Sequence, residues 1–131
     1  LAYASSEIIA FFNKVKYPYN VSTLTQEKAC EILRRQYDVL QWINTTKQER
    51  SRVMEAVIQL PICEKVYPTS ANFFLARMVD AQAIYDYLVR CGIIVRNRSR
   101  VTLCGNCLRI TVGSKSENVE LLSALRKYQP K

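Results

Sequence analysis

The side chains best placed to do chemistry are arginines in the stretch GIIVRNRSRVTLCGNCLRITVG, residues 92–113. Arg96, Arg98, Arg100 and Arg109 lie there between two apolar segments that read as strands. In the second segment Leu108, Ile110 and Val112 fall on one face of an extended chain, and Cys107, Arg109 and Thr111 fall on the other. A guanidinium at Arg109 then has its backbone held by a sheet and its head turned away from the core. Its planar fork can fix a carboxylate or a phosphate through two parallel hydrogen bonds. Arg96 directly follows Ile93-Ile94-Val95, at a strand end, and is read as part of a site. Arg98 and Arg100 read as a solvated basic loop, although in an extended chain all three alternating arginines would share a face and could track a phosphate backbone.

Other chemistry has little to stand on. Cys104-Gly105-Asn106-Cys107 is a lone C-x-x-C. Two thiolates at this spacing can chelate zinc or act as a redox pair. Structural zinc wants four ligands, and there is neither a second close pair nor any histidine. A thioredoxin-like motif opens a helix, whereas this one opens a strand. The pair is read as two reduced thiols in a loop, with no metal site. No acid/base pair, nucleophile elbow or Gly-rich phosphate loop is found, and the chain has only 3 glycines.

The elements that must position the arginines follow from periodicity and punctuation. Residues 5–15 read as a helix with Ser5 or Ser6 as N-cap and Ile8, Phe12 and Val15 on one face. Tyr17-Pro18-Tyr19-Asn20 breaks it. A second helix is expected from Ser22 or Thr25 to about Tyr37. A long helix follows, with Val39, Ile43, Thr46, Arg50, Val53, Val57 and Leu60 forming an interrupted stripe that Pro61 terminates. Residues 61–68 read as a turn at which the architecture changes. Ala71–Met78 reads as a strand, Asp80 as the cap of a helix that Gly92 closes, and Ile93–Arg96 as a short strand. Asn97–Asn106 reads as a polar, flexible connection and Cys107–Val112 as a strand. Ser114 to Glu117 fits a capping box before a helix with Leu121, Leu125 and Tyr128 inward. The fold class is therefore α+β. A helical front precedes a β-α-β-β-α unit with a mostly antiparallel sheet covered by helices.

The composition bounds the class. The chain has 131 residues, is 49% hydrophobic and 23% charged, and carries a net charge of +8. A packed core is expected and global disorder is not. No apolar run approaches a membrane span. The start, LAYASSEIIAFFNKVK, lacks both a signal peptide's profile and an initiator Met, so a piece of a longer protein is expected. The 5 cysteines, odd in number and irregular in spacing, argue for reduced thiols and a cytoplasmic protein. Cys30 and Cys91 sit in apolar helical patterns and are expected in the core. The basic balance raises nucleic acid as a partner. Yet most aromatics fall at helical core spacing, and Phe73 and Phe74 lack basic neighbours of a base-stacking pattern.

At larger scale the residues resemble a known family. VYPTSANFFLARM, AIYDYLVRCGIIVRNRSR and CLRITVGSKSENVELLSAL, together with the front segment YASSEIIAFFNKVKYPYNVSTLTQEKA, are similar to the C-terminal part of the histidinol-phosphate aminotransferase family, in its order and spacing. The resemblance implies a fold type I enzyme dependent on pyridoxal 5'-phosphate. Such an enzyme exchanges an amino group between glutamate and imidazole-acetol phosphate, giving histidinol phosphate and 2-oxoglutarate. It implies that residues 1–35 are the tail of the cofactor-binding large domain and residues 36–131 the small C-terminal domain. It further implies that Arg109 grips the anionic group of the substrate and that Arg96 lies at its phosphate end. The family's cofactor lysine falls upstream of this N-terminus, so this piece is expected to carry no catalytic residue, to bind no cofactor alone and to be inactive alone. The intact enzyme is expected to be a homodimer, without nucleic-acid or membrane partners. The front helices are expected to expose apolar surface that the large domain covers. Within the same fold, another aminotransferase or a phosphate-ester decarboxylase is the near alternative. A basic module binding anions or nucleic acid is the alternative of another class, and it requires tight, salt-dependent binding to oligonucleotide.

Overall fold

The computed structural model describes residues 3–17 and 21–129. Its contacts divide the chain into two compact units, 1–40 and 41–131. The first unit holds α1 (Ser6–Val15) and α2 (Thr23–Arg34). Ser5 occupies the N-cap of α1, and the Ser22 hydroxyl caps α2 by accepting from the Thr25 N–H at 3.2 Å. Of the expected break at 17–20, residues 18–20 lie outside the described residues. Neither helix buries a residue. Phe11 is 65% and Leu24 77% exposed, so both helices keep apolar side chains open as expected. The division between units falls within α3 (Gln36–Ile58).

The second unit continues with β1 (Cys63–Val66), β2 (Phe73–Met78), α4 (Ala81–Arg90), β3 (Arg96–Asn97), β4 (Cys107–Thr111) and α5 (Lys115–Lys127). The four strands form one sheet in the order β1-β2-β4-β3, with every pair antiparallel. β4 therefore lies between β2 and β3, a split β-α-β arrangement. One sheet face supplies Phe74, Ala76, Met78, Leu108 and Ile110 to the core, where Val53 and Val57 of α3, Ile84 and Leu88 of α4, and Leu121 and Leu125 of α5 meet them. The alternation read in residues 107–112 is the reason: Leu108, Ile110 and Val112 are all buried, whereas Arg109 and Thr111 are not.

Local chemistry sets the ends of the elements. Asp80 accepts from the Ala83 N–H at 2.9 Å at the start of α4. Gly92, at φ 77°, ends it. Its N–H donates to the Val89 carbonyl and the Ile93 N–H to the Leu88 carbonyl, both at 2.9 Å, which is the Schellman pairing. Before α5 the Ser114 N–H donates to Glu117 Oε2 at 2.6 Å, and the Glu117 N–H donates back to Ser114 Oγ at 3.4 Å, the expected capping box. A Cβ on Gly113 would meet that Glu117 oxygen at 2.8 Å, so a larger residue there would have to displace the Glu117 carboxylate from the box.

Several expectations needed correction. The segment 61–68 contains β1. It is a short edge strand between prolines, with a register irregularity between Cys63 and Lys65 that erases the alternating signal. The strand expected at Ile93–Arg96 is instead Arg96–Asn97. The chain leaving the Gly92 turn meets β4 only there, and Ile94 is left 75% exposed. Cys30 and Cys91 are exposed, not in the core. Cys30 is on a helix that buries nothing, and Cys91 follows the buried stripe of α4 as its C-cap.

Among the described residues Asn118 is the one buried polar side chain, at 1% exposure. Its Oδ1 accepts from the Gly113 N–H, and its Nδ2 donates to the Gly113 carbonyl and to Glu49 Oε2, each at 3.0 Å. All of its strong hydrogen-bonding groups are thus used, and α5 is tied to α3. Arg52 Nη2 also donates to Glu49 Oε2, at 2.6 Å, and Arg52 Nε to Glu49 Oε1, at 3.1 Å. The Arg52 hydrogen bonds first, and then that from Asn118, hold the Glu49 carboxyl at about 2, below its ordinary 4.5. Because the folded value is depressed, the stabilisation from ionised Glu49 is complete above pH 4.5 and is lost as pH falls toward 2. Thermal melts across that window should show Glu49→Gln with a flatter acid limb than wild type; superimposable limbs would refute this.

Candidate anion-binding site

The second face of the sheet is built from the residues that alternate with the core. The register sets Arg109 of β4 directly between Leu75 of β2 and Arg96 of β3. One row over, Arg77 of β2 lies between Cys107 of β4 and Lys65 of β1. In the opposite direction Phe73 pairs with Thr111. Lys65, Arg77, Arg96 and Arg109 therefore share this face, and cross-strand partners on one face are within reach of one another.

The two arginines read from the sequence are brought together as direct partners across the β3–β4 ladder. The Arg109 side chain is half-buried. Its guanidinium carbon lies over the Phe73 ring, 4.9 Å from its centre, a contact stabilised by cation–π attraction. Phe73 thus receives a basic neighbour after all, supplied across the ladder by β4. The Nε of Arg109 is buried without a hydrogen-bond partner. Arg96 is exposed. The ion pairs of the described residues lie elsewhere, at Lys28–Glu31, Arg35–Asp38 and Arg52–Glu49. Like charges directly opposite one another on a sheet repel. An anion between the two guanidiniums would reverse that sign and would give the buried Nε an acceptor.

The connection between β3 and β4 is more ordered than a flexible loop. Val101 donates its N–H to the Arg98 carbonyl at 2.8 Å, Cys104 to Val101 at 2.9 Å and Cys107 to Cys104 at 3.0 Å, a run of consecutive turns. Asn97 Oδ1 accepts from Ser99, and the Met78 N–H donates to the Asn106 carbonyl. Leu103 and Asn106 take positive φ values of 66° and 53° within it. Arg98 is half-buried, its N–H held at 2.8 Å by the Cys107 carbonyl, and Arg100 is exposed. Cys104 and Cys107 are free thiols; Cys107 is buried and donates its Sγ to the Gly105 carbonyl at 3.4 Å.

Arg77 and Lys65 were missed by sequence reasoning. The parity signal existed, since Arg77 is spaced by two and four residues from Leu75 and Phe73, but only the register across β4 brings it beside Arg109. Since Arg109 leaves a buried donor unmatched opposite another cation, Arg109→Met should not destabilise the fold. Its unfolding free energy from urea titration is expected to match or exceed wild type, by up to about 1 kcal/mol. A loss of more than about 1 kcal/mol would identify Arg109 as a structural residue instead.

Comparison with known proteins identifies the family and the fold. A family profile described as aminotransferase class I and II matches residues 1–125. The chain is 54% identical over 129 residues to a histidinol-phosphate aminotransferase of Bacteroides fragilis, and 50% identical over 129 residues to that of Bacteroides thetaiotaomicron. Each match covers 98% of this chain and 37% of the relative, so the chain spans little more than a third of the length of these proteins. Its fold superposes on the crystal structure of the histidinol-phosphate aminotransferase from Clostridium acetobutylicum with a TM-score of 0.82, at 24% identity, over 92% of this chain and 37% of that one. A split β-α-β sheet with α5 packed on its core face, a profile match across nearly all residues and this shared fold lead to one conclusion: the chain belongs to the aminotransferase class I and II family.

Proposed function

We propose that this chain is the C-terminal portion of a histidinol-phosphate aminotransferase, and that Arg109 and Arg96 together hold the anionic end of its substrates. The observation that carries the reading is the direct cross-strand pairing of Arg96 with Arg109, neither of which takes part in an ion pair of the described residues. High identity to the Bacteroides relatives supports the choice of substrate class. Glutamate and 2-oxoglutarate present a carboxylate to this pair, and histidinol phosphate and imidazole-acetol phosphate present a phosphate ester. A fixed guanidinium accommodates both, because each offers two oxygens in one plane. Arg109, pressed on Phe73, sets the position; Arg96, at the exposed end of the ladder, adds the second charge that a phosphate needs.

The family implies pyridoxal phosphate in the full-length enzyme. The residues described here do not fit as its covalent holder. A Schiff-base lysine is activated by desolvation or by a neighbouring cation in a closed site, and every lysine among the described residues is exposed. We assign the cofactor lysine, with the carbanion chemistry the cofactor supplies, to the part of the enzyme that precedes these residues. In this reading residues 1–35 belong to the large cofactor domain and residues 36–131 to the small domain. The intact enzyme is a homodimer, and the isolated chain binds substrate anions without turning them over.

In the full-length enzyme, Arg109→Ala should lower kcat/KM for both glutamate and histidinol phosphate by about 100-fold, the scale of a lost charge-assisted bidentate contact. Arg96→Ala should cost more with the phosphorylated substrate than with glutamate. Steady-state kinetics with each substrate check both; wild-type values in Arg109→Ala would end the proposal.

A further inference from the structure

We propose that Arg77 is a further specificity-determining residue of this site, donating to the phosphate of the phosphorylated substrate at a point that a carboxylate does not reach. The inference rests on the reading of Arg109 and Arg96 just given. Its own observations are separate. Arg77 and Arg109 are diagonal neighbours on one face of the β2–β4 ladder, since Arg77 is opposite Cys107 and Arg109 is opposite Leu75. Diagonal positions on an antiparallel pair are about 7–8 Å apart, a span that two arginine side chains close readily around one small anion.

The Nε of Arg77 is buried without a partner, and so is that of Arg109. No other side-chain nitrogen or oxygen among the described residues is buried in this state. Buried donors normally find an acceptor, and two exceptions side by side on one face call for a shared one. On its other side Arg77 faces Lys65, which lies with its ammonium 5.0 Å from the Tyr67 ring centre. The same device, a cation laid over an aromatic ring two strand positions or one diagonal away, thus recurs at both ends of the patch: Lys65 on Tyr67 and Arg109 on Phe73. Leu75 lies between them, next to Tyr67, whose N–H donates to the Leu75 carbonyl at 2.9 Å. The face is an apolar floor ringed by cations, where charge interactions are screened less than in water.

The chemistry of the two substrates then separates them. A carboxylate has one charge and two oxygens, and one guanidinium fork satisfies it. A phosphate monoester carries between one and a half and two charges near neutral pH and has three strong acceptor oxygens. The third oxygen leaves room for a donor beyond the Arg109–Arg96 pair, and Arg77, half-buried with an unmatched Nε, is the cation on the opposite side of Arg109.

The test uses the full-length enzyme with Arg77→Gln, which keeps an unbranched polar stem, and Arg77→Lys, which keeps the charge. Arg77→Gln is expected to raise KM for histidinol phosphate, and the inhibition constant of inorganic phosphate, by about tenfold, while KM for glutamate moves far less. The loss should appear in KM of the phosphorylated substrate rather than in kcat, and Arg77→Lys should recover most of it. Equal changes for both substrates, an unchanged phosphate inhibition constant, or a lowered Tm without the KM split would overturn the inference, the last by making Arg77 a partner of the protein itself. Arg109→Ala, measured alongside, keeps the two readings apart. If it weakens both substrates and Arg77→Gln discriminates neither, only the role of Arg77 falls; if it weakens neither, the anion site itself is lost.

Discussion

The burial of one face of β4 governs everything else in the sheet. A strand whose alternate residues are sealed in a core cannot slip by one position, because the slip would turn the whole apolar set outward. Leu108 and Ile110 are sealed in this way against α3, α4 and α5, and β4 is bracketed by β2 and β3. That leaves Arg109 a single direction. The core, and no electrostatic contact of the arginine itself, holds its backbone in place. Arg96 is drawn into line by the same ladder, and Arg77 by the ladder on the opposite side. A cluster of like charges is thereby imposed on one face, at a cost that the hydrophobic burial on the other face offsets.

Much of this was legible along the chain, for a reason that is itself physical. The features read correctly are local. The alternation of residues 107–112, the caps at Ser5, Ser22 and Asp80, the glycine at 92 and the box from Ser114 to Glu117 each depend on neighbours within a few positions. The features that escaped depend on distant partners. β1 is a four-residue edge strand whose partner arrives ten residues later and whose own pattern is broken by an irregularity. β3 is only as long as the stretch β4 can reach. Cys30 and Cys91 matched a helical apolar pattern, yet the faces they occupy meet no core. Parity alone placed Arg109 on the polar face, but no local rule places Arg77 or Lys65 beside it. The anion-gripping roles proposed for Arg96 and Arg109 rest on family resemblance joined to chemistry.

The molecule also shows where stability has been given up. Buried guanidinium nitrogens without acceptors, cations facing cations and open apolar helices in the first unit are all unfavourable for a self-sufficient domain. They become reasonable under the proposed reading, in which this chain, spanning about 37% of its relatives' length, is one part of a larger enzyme. The interactions around Asn118 have the opposite character: every strong group is matched, and α3 and α5 are fixed where they press the core against β4. Rigid support on one face and unmet donors on the other is the distribution expected of a binding surface carried on a sheet.

The most direct test of the central claim, that Arg96 and Arg109 grip one anion jointly, is a double-mutant cycle on inhibition of the full-length enzyme by inorganic phosphate. If both guanidiniums touch the same anion, the losses in Arg96→Ala and Arg109→Ala will be coupled by about 1 kcal/mol or more in the double variant. Losses that add to within about 0.5 kcal/mol would mean two independent cations, and would contradict the account.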